Sequence, residues 1–442
     1  MKQIESTKKL LQFIEESPTA FHAVESISGR LTDAGFHELH EGDAWDLIPG
    51  EGYYVTRNQS SVLAFRIPTA KANNFLISAS HTDSPMFKVK SGAESEACNH
   101  YIRLNTEVYG GTILSTWLDR PLTLAGRVVL AENGNFSAKT VKIDRDLLVI
   151  PSVAIHFNRT VNSGYAYNPA VDTLPLFAQK NGQPVSLKAL IAKEISCDED
   201  QIAQMDLYVC CHTLGTVWGA NEEFFSAPRI DNLMCAYGTL QGFLEADRSE
   251  NAVTVYYAAD NEETGSSTKQ GAGALVFRDI LERIAESEKT DVRRMLASSF
   301  MVSADNGHAR HPNHPELSDA QNAPYMNEGI VIKLNSSQKY ATEALSAALF
   351  REICRRAEVP VQTFANRSDM LGGSTLGSIS DTFVPLLTVD IGLAQLAMHS
   401  CYETAGTCDT AYLIRAAKEF YETVICSDKD GTFTLSQKKS EG

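Results

Sequence analysis

Nine cysteines in 442 residues are few and odd in number, and no two of them form a CxxC pair. Positions 98, 197, 210, 211, 235, 354, 401, 408 and 426 give neither a disulfide framework nor a zinc-ribbon spacing. The expectation is reduced thiols in a cytoplasmic protein. A basic block is also missing: 39 Lys and Arg stand against 55 Asp and Glu, for a formal net charge of −16. Nucleic acids and anionic membrane surfaces call for a clustered basic footprint, so neither is an expected partner. No stretch of roughly 18 apolar residues occurs, which excludes a membrane-spanning helix. The N-terminal MKQIESTKKLLQFIEESPTAFHAVESI interrupts its apolar positions with charges, unlike a secretory signal.

What is present is ordinary globular material, 43% hydrophobic and 21% charged, enough for a large core. At roughly 100–200 residues per domain, the length suggests two or three domains, or one large domain with an insertion. From about Ser6 to Phe36 apolar residues recur at helical spacing and predict two helices, with Ser17-Pro18 as a helix start. Phe75–Ser80 reads as a buried strand. Between residues 91 and 225 alternating segments separated by Gly110-Gly111 and Asn133-Gly134-Asn135 predict hairpins, hence a β-rich inserted domain. Beyond it, helical segments at Ile230–Ala246, Gly271–Ser287, Thr342–Ala357 and Ala411–Ile425 alternate with strand-like runs at Ala252–Ala258, Ser299–Ser303 and Val384–Ile391. That alternation points to an α/β fold with a mostly parallel, helix-covered sheet formed by residues 1–90 and 226–442. The polar stretch from Ser436 to Gly442 reads as a frayed tail.

In such a sheet, function gathers where strands end. Here the ends carry metal-competent side chains: His81-Thr82-Asp83, Asp260-Asn261-Glu262-Glu263 and Asp305, with His399 after the last strand and Asp231 opening the helix after the insertion. Two histidines and three carboxylates are what two divalent cations need if one carboxylate bridges them. Any one of these alone is better explained as a strand-end turn residue. Their joint placement, with an adjacent Glu-Glu pair that would repel itself without a cation, favours a metal site.

The chain is similar to the M18 metalloaminopeptidases of the aspartyl-aminopeptidase type. The resemblance is carried in order by His81-Thr-Asp-Ser-Pro85, Ser226-Ala-Pro-Arg-Ile-Asp-Asn232, Asp260-Asn-Glu-Glu-Thr-Gly-Ser266, Asp305-Asn-Gly-His308 with His311-Pro-Asn313, and Met398-His-Ser400. It implies a zinc-exopeptidase-like fold in which residues 91–225 form an oligomerisation domain. One metal would be held by His81, Asp231 and Asp305, the other by Asp231, Glu263 and His399, with zinc expected and cobalt or manganese also suited to these ligands. Glu262 would be the general base toward the attacking water, and Asp83 would fix the orientation of His81. The resemblance further implies that His156, which by itself reads as a core or surface histidine, reaches a neighbouring subunit's active site in a closed homo-oligomer, a dodecamer.

His308, Lys333 and the glycines Gly372 and Gly373 are candidate substrate contacts. Lys333 would pair with an acidic substrate side chain, against the commoner alternative of an exposed lysine. Gly372-Gly373 lacks a P-loop ending and reads either as a tight turn before a helix or as a pocket wall. The leading expectation is a two-metal aminopeptidase acting on peptides, with acidic N-termini as its preferred class. The alternatives are a related two-metal exopeptidase or deacylase preferring neutral residues, and a non-catalytic assembly or cargo protein of the same fold.

Overall fold

The structure is a computed structural model that describes residues 2–182, 184–370 and 372–437. Its largest layer is a nine-stranded sheet, and the four central strands, Ala252–Ala259, Asn74–His81, Phe300–Ala304 and Leu387–Gly392, run parallel. Ala252–Ala259 and Asn74–His81 are buried at every position, as strands covered on both faces must be, and they read as unbroken apolar runs for that reason. The flanks depart from the mostly parallel sheet expected from the sequence. Ser61–Arg66 pairs antiparallel with both Ala252–Ala259 and Gly52–Arg57, and Ile330–Leu334 runs antiparallel to Leu387–Gly392, so the sheet is mixed. A strand joined to its neighbour by a short turn, as Gly52–Arg57 is to Ser61–Arg66, has no room for the crossover that parallel pairing requires.

Two apolar layers cover the sheet. On one face the helices Lys2–Glu16, Ala20–Asp33, Ile230–Glu245, Ala344–Arg356 and Asp409–Glu422 bury Phe13, Phe243, Phe350 and Phe420. On the other, Val276–Ser287 buries Phe277 and Ile280 against Phe75, Ile77 and Tyr257. The first turn of Ala20–Asp33 differs from expectation: the helix starts after Thr19, whose hydroxyl meets His22 Nδ1 at 2.9 Å, and the Ser17 hydroxyl caps nothing. The last helix stops at Glu422, and the chain continues as the hairpin Thr423–Lys429 with Thr432–Gln437. Ser436 is thus part of a strand rather than a frayed tail, while residues 438–442 of that expected tail lie outside the described residues.

A six-stranded antiparallel sheet occupies the stretch from Met86 to Cys211 and encloses its own core around Phe87, Leu104, Trp117 and Leu124. Gly126 is required within it: a Cβ there would lie 2.0 Å from the Asp206 carbonyl oxygen of the paired strand. A third sheet of five short strands includes Gly307–His308, Ala394–Leu396 and Glu403–Gly406. It sits beyond the carboxyl ends of the central strands and holds the loop that carries His399.

Candidate metal centre

Each proposed ligand owes its place to a chain reversal at the end of an element. His81 closes its strand, and Asp305 follows Phe300–Ala304 directly. Asp231 opens a helix but keeps a non-helical backbone, after Arg229 in the left-handed region, and this turns its carboxylate away from the helix axis. Glu262 and Glu263 form a single helical turn that begins after left-handed Asn261, and His399 is itself left-handed.

These turns bring the side chains together. Asp231 lies between the two histidines: its Oδ1 is 3.6 Å from His81 Nε2 and its Oδ2 is 3.6 Å from His399 Nε2. Asp305 Oδ1 stands 3.7 Å from His81 Nε2, and Glu263 Oε2 stands 3.3 Å from His399 Nε2. Ligand atoms of His81, Asp231 and Asp305 fall within 4.8 Å of one another, as do those of Asp231, Glu263 and His399; His81, Glu262 and Glu263 form a third, overlapping trio.

The far nitrogens of both rings are also engaged. His81 Nδ1 is 3.1 Å from the Asp83 carbonyl oxygen and 3.4 Å from Asp83 Oδ1. His399 Nδ1 is 3.0 Å from the Gly111 carbonyl oxygen. Such contacts set which nitrogen carries the proton and leave Nε2 as a ligand. Asp83 also holds the backbone of the Glu-Glu turn. Its Oδ1 accepts the Glu262 N–H at 3.1 Å and its Oδ2 accepts the Glu263 N–H at 3.2 Å, along with the Tyr109 hydroxyl at 2.7 Å. One buried carboxylate thus orients a histidine and two glutamates together.

The electrostatics favour a cation. Burial pushes the Glu262 carboxyl up to about 8, His81 opposing and the charges of Asp305, Asp83 and Asp231 adding to the rise; burial and Asp231 raise Glu263 well above the usual carboxylate range. Burial lowers the His81 basicity, but hydrogen bonds to Asp305 and Asp83 outweigh it, so the ring is held well above its ordinary value. Asp231 Oδ1 and Glu263 Oε1 are buried without a hydrogen-bond partner. Orphaned carboxylate oxygens of this kind normally have a partner, and imidazole with carboxylate is a donor set that divalent zinc, cobalt and manganese accept. The residues therefore fit two metal ions that share Asp231.

The cavity beside this cluster, about 180 Å³, is also lined by His308, Lys333, Tyr340 and Gly373. Lys333 is not an exposed lysine: it is 3% exposed, and its ammonium donates to Asp305 Oδ2 at 3.2 Å and to the Asn306 carbonyl at 2.9 Å. Gly372 belongs to a neighbouring cavity and not to this one, Gly373 lines both, and the two glycines lie in irregular backbone before the helix Leu376–Ser380. His156 stands exposed on the irregular segment after Ile150, outside the cavity of its own chain.

Several residues not expected from the sequence belong to the site. Glu403, 1% exposed, accepts the N–H of Asp231 at 3.0 Å and that of His399 at 2.7 Å. Gln395 donates to Glu403 at 3.2 Å and accepts from Asn306, next to Asp305, at 2.6 Å. Tyr109 and Gly111 arrive from the six-stranded sheet. Gly110 lets that connection approach closely, because its φ of +72° and a Cβ 3.1 Å from Glu263 Cβ both disfavour a side chain. No sequence motif marks these residues; only the Gly110-Gly111 pair signals a turn.

Two histidines and three carboxylates, of which Asp231 is common to both groups, with a further glutamate beside them at the rim of a mixed sheet, are the donor set of a two-metal hydrolase. Comparison with known proteins narrows the class. The family model of the aminopeptidase I zinc metalloproteases (M18) matches residues 13–421. A probable M18 family aminopeptidase 2 from Clostridium acetobutylicum is 44% identical over 429 residues, covering 95% of this chain and 99% of its own length. One from Pseudomonas entomophila is 39% identical over 421 residues, covering 94% and 97%. Among solved structures, a chain of the Ape4 and Nbr1 complex superposes with a TM-score of 0.91 at 34% identity, covering 95% of this chain and 86% of its own. The mApe1 dodecamer of S. cerevisiae gives 0.85 at 25%, covering 95% and 97%. The chain belongs to the M18 family and is a metalloaminopeptidase.

Proposed function

We propose that this protein removes single N-terminal residues from peptides with a pair of zinc ions, one held by His81, Asp231 and Asp305 and the other by Asp231, Glu263 and His399. The observation that carries this reading is Asp231, whose two oxygens each face a different histidine Nε2 at 3.6 Å. Bound there, the two cations would polarise the scissile carbonyl and make the attacking water more acidic. Glu262 takes the proton of that water and returns it to the leaving amine. Burial pushes its carboxyl up to about 8, and bound cations would offset the charges of Asp305 and Asp231 and favour the base form. Asp83 keeps Glu262 in position through the backbone N–H at 3.1 Å.

Acidic N-terminal residues are the preferred class on this reading. An ammonium has three N–H donors. Lys333 gives donors to Asp305 and Asn306, which leaves a third for a ligand in the cavity that it lines with Tyr340 and Thr375. His308 and Gly373 complete the wall. Residues 91–225 serve assembly: around His156 the side chains of Val153, Ile155 and Phe157 are exposed, Phe157 by 88%, as an interface segment would be in an isolated chain. Relatedness to the mApe1 dodecamer supports a homododecamer, and in such an assembly His156 would stabilise the oxyanion in a neighbouring subunit. The cysteine pattern supports a cytoplasmic setting.

The test combines metal content with turnover. Wild-type protein should hold two zinc ions per chain and release free Asp or Glu from peptides faster than Leu or Lys, while Glu262→Gln keeps its metal and loses turnover. His156→Ala should lower turnover at unchanged metal content. A Glu262→Gln variant as active as wild type would refute the base assignment, and a fully active monomer would remove the role of His156.

A further inference from the structure

Beside the catalytic cavity lies a second one of about 290 Å³, and the two share the walls made by His308, Phe364 and Gly373. Their interiors differ. The catalytic cavity has a buried wall made by Lys333, Tyr340 and Thr375, each no more than 5% exposed. A residue at the start of a peptide has nothing before it, so a buried wall suits its side chain, and the rest of the chain must leave across another wall.

The second cavity takes up that exit. Its apolar lining comes from Phe364, Leu317, Met370 and Leu396. Phe364 is fixed from both sides, with its ring centroid 6.3 Å from those of His308 and Tyr340. The one arginine at its rim is already paired, and the one carboxylate in its lining is held ionised. Arg367 pairs with Asp369 at 2.7 Å, and the Asp319 carboxylate accepts the Gln321 and Asn322 N–H groups at 3.0 and 2.9 Å, which hold it below the usual carboxylate range. An anionic ligand group would have to displace Asp369 from Arg367 and would face the Asp319 charge, whereas an apolar group would gain burial.

We propose that this cavity binds the side chain of the residue that follows the scissile bond and selects peptides with an apolar residue, such as Leu or Phe, at the second position. The proposal rests on the aminopeptidase reading above and names a further part of the substrate. Leu317 is the diagnostic wall residue because it is 51% exposed, so a polar replacement leaves the core intact.

The experiment uses the assembled, zinc-loaded protein and tripeptides with one fixed first residue and Leu, Phe, Gly, Asp or Lys second, measuring the free first residue released. Wild type should show kcat/KM about tenfold higher for Leu and Phe than for Gly and Asp, as expected for partial burial of a large apolar side chain. Leu317→Asp should remove that advantage and raise Lys above Asp at the second position. Equal rates for all second residues, or a Leu317→Asp effect of the same size on every tripeptide, would overturn the inference while the function reading stands. An effect of Leu317→Asp that changes with the first residue instead would also overturn it, by assigning the cavity to that residue. Release of nothing from any tripeptide would overturn the function reading, and this inference with it.

Discussion

Glu403 touches no proposed metal ligand atom, yet it holds the backbone of two ligands from different parts of the chain. Its Oε2 accepts the Asp231 N–H at 3.0 Å, and its Oε1 accepts the His399 N–H at 2.7 Å and the Gln395 amide at 3.2 Å. All three partners are donors, so a carboxylate with two accepting oxygens suits them and glutamine does not. In Glu403→Gln the shape is kept, but one backbone N–H must face an amide NH₂. Losing a hydrogen bond to a charged group costs about 1.5–3 kcal/mol. At about 1.4 kcal/mol per decade, metal binding should weaken between roughly tenfold and hundredfold, the range typical of residues that orient ligands. The second site should suffer more than the first, because both Asp231 and His399 belong to it. Zinc titration by calorimetry suits this test, run at pH 8.5 so that the Glu403 carboxyl, which burial and Asp231 push up to about 8, is mostly ionised. Wild type should bind both ions tightly and Glu403→Gln should separate one weak ion from one tighter ion, with far-UV circular dichroism unchanged. Superimposable titrations for the two proteins would refute the reasoning.

Lys333→Met leaves Asp305 buried without its ammonium. Breaking a buried pair costs about 3–5 kcal/mol, so the denaturation midpoint of metal-free protein should fall clearly, and less once zinc supplies the missing charge; an unaltered metal-free midpoint would contradict this. Asp409, fully buried, accepts the N–H groups of Asn327 and Gly329 at 2.7 and 3.1 Å, and burial pushes its carboxyl up to about 7. Because the folded value lies above the unfolded one of about 3.9, the fold holds the proton more tightly. Its contribution is complete below about pH 4 and declines by up to about 1.4 kcal/mol per unit as pH rises through about 7. Asp409→Asn should flatten the fall in stability over that window, measured as the difference in pH slope from wild type, and parallel slopes would count against it.

The legible part of this molecule is the part written in local pattern. Ala252–Ala259 and Asn74–His81 are apolar without interruption because both faces are covered, and the residues that end such strands stand at the rim where a site forms. His81, Asp231, Glu262, Glu263, Asp305 and His399 could therefore be proposed as one group. Hidden residues are those whose role depends on contacts distant in sequence. Glu403 reads as one acidic residue among many until the fold places Asp231, 172 residues earlier, against it. Tyr109 and Gly111 belong by sequence to the β-rich stretch and act at the edge of the metal cluster. The antiparallel flanks of the main sheet were also unreadable, since pairing direction is set by how chains return and not by apolar periodicity.

Lys333 shows the same division at one atom. By itself the sequence determined an acidic chain with a clustered set of metal-competent side chains at strand ends, because composition and local spacing are sequence properties. Whether a lysine beside that set is solvated or buried is decided by what packs around it. Tertiary structure alone placed its ammonium 3.2 Å from Asp305 and 2.9 Å from the Asn306 carbonyl oxygen, which balance it, and so made it part of the cavity wall rather than surface.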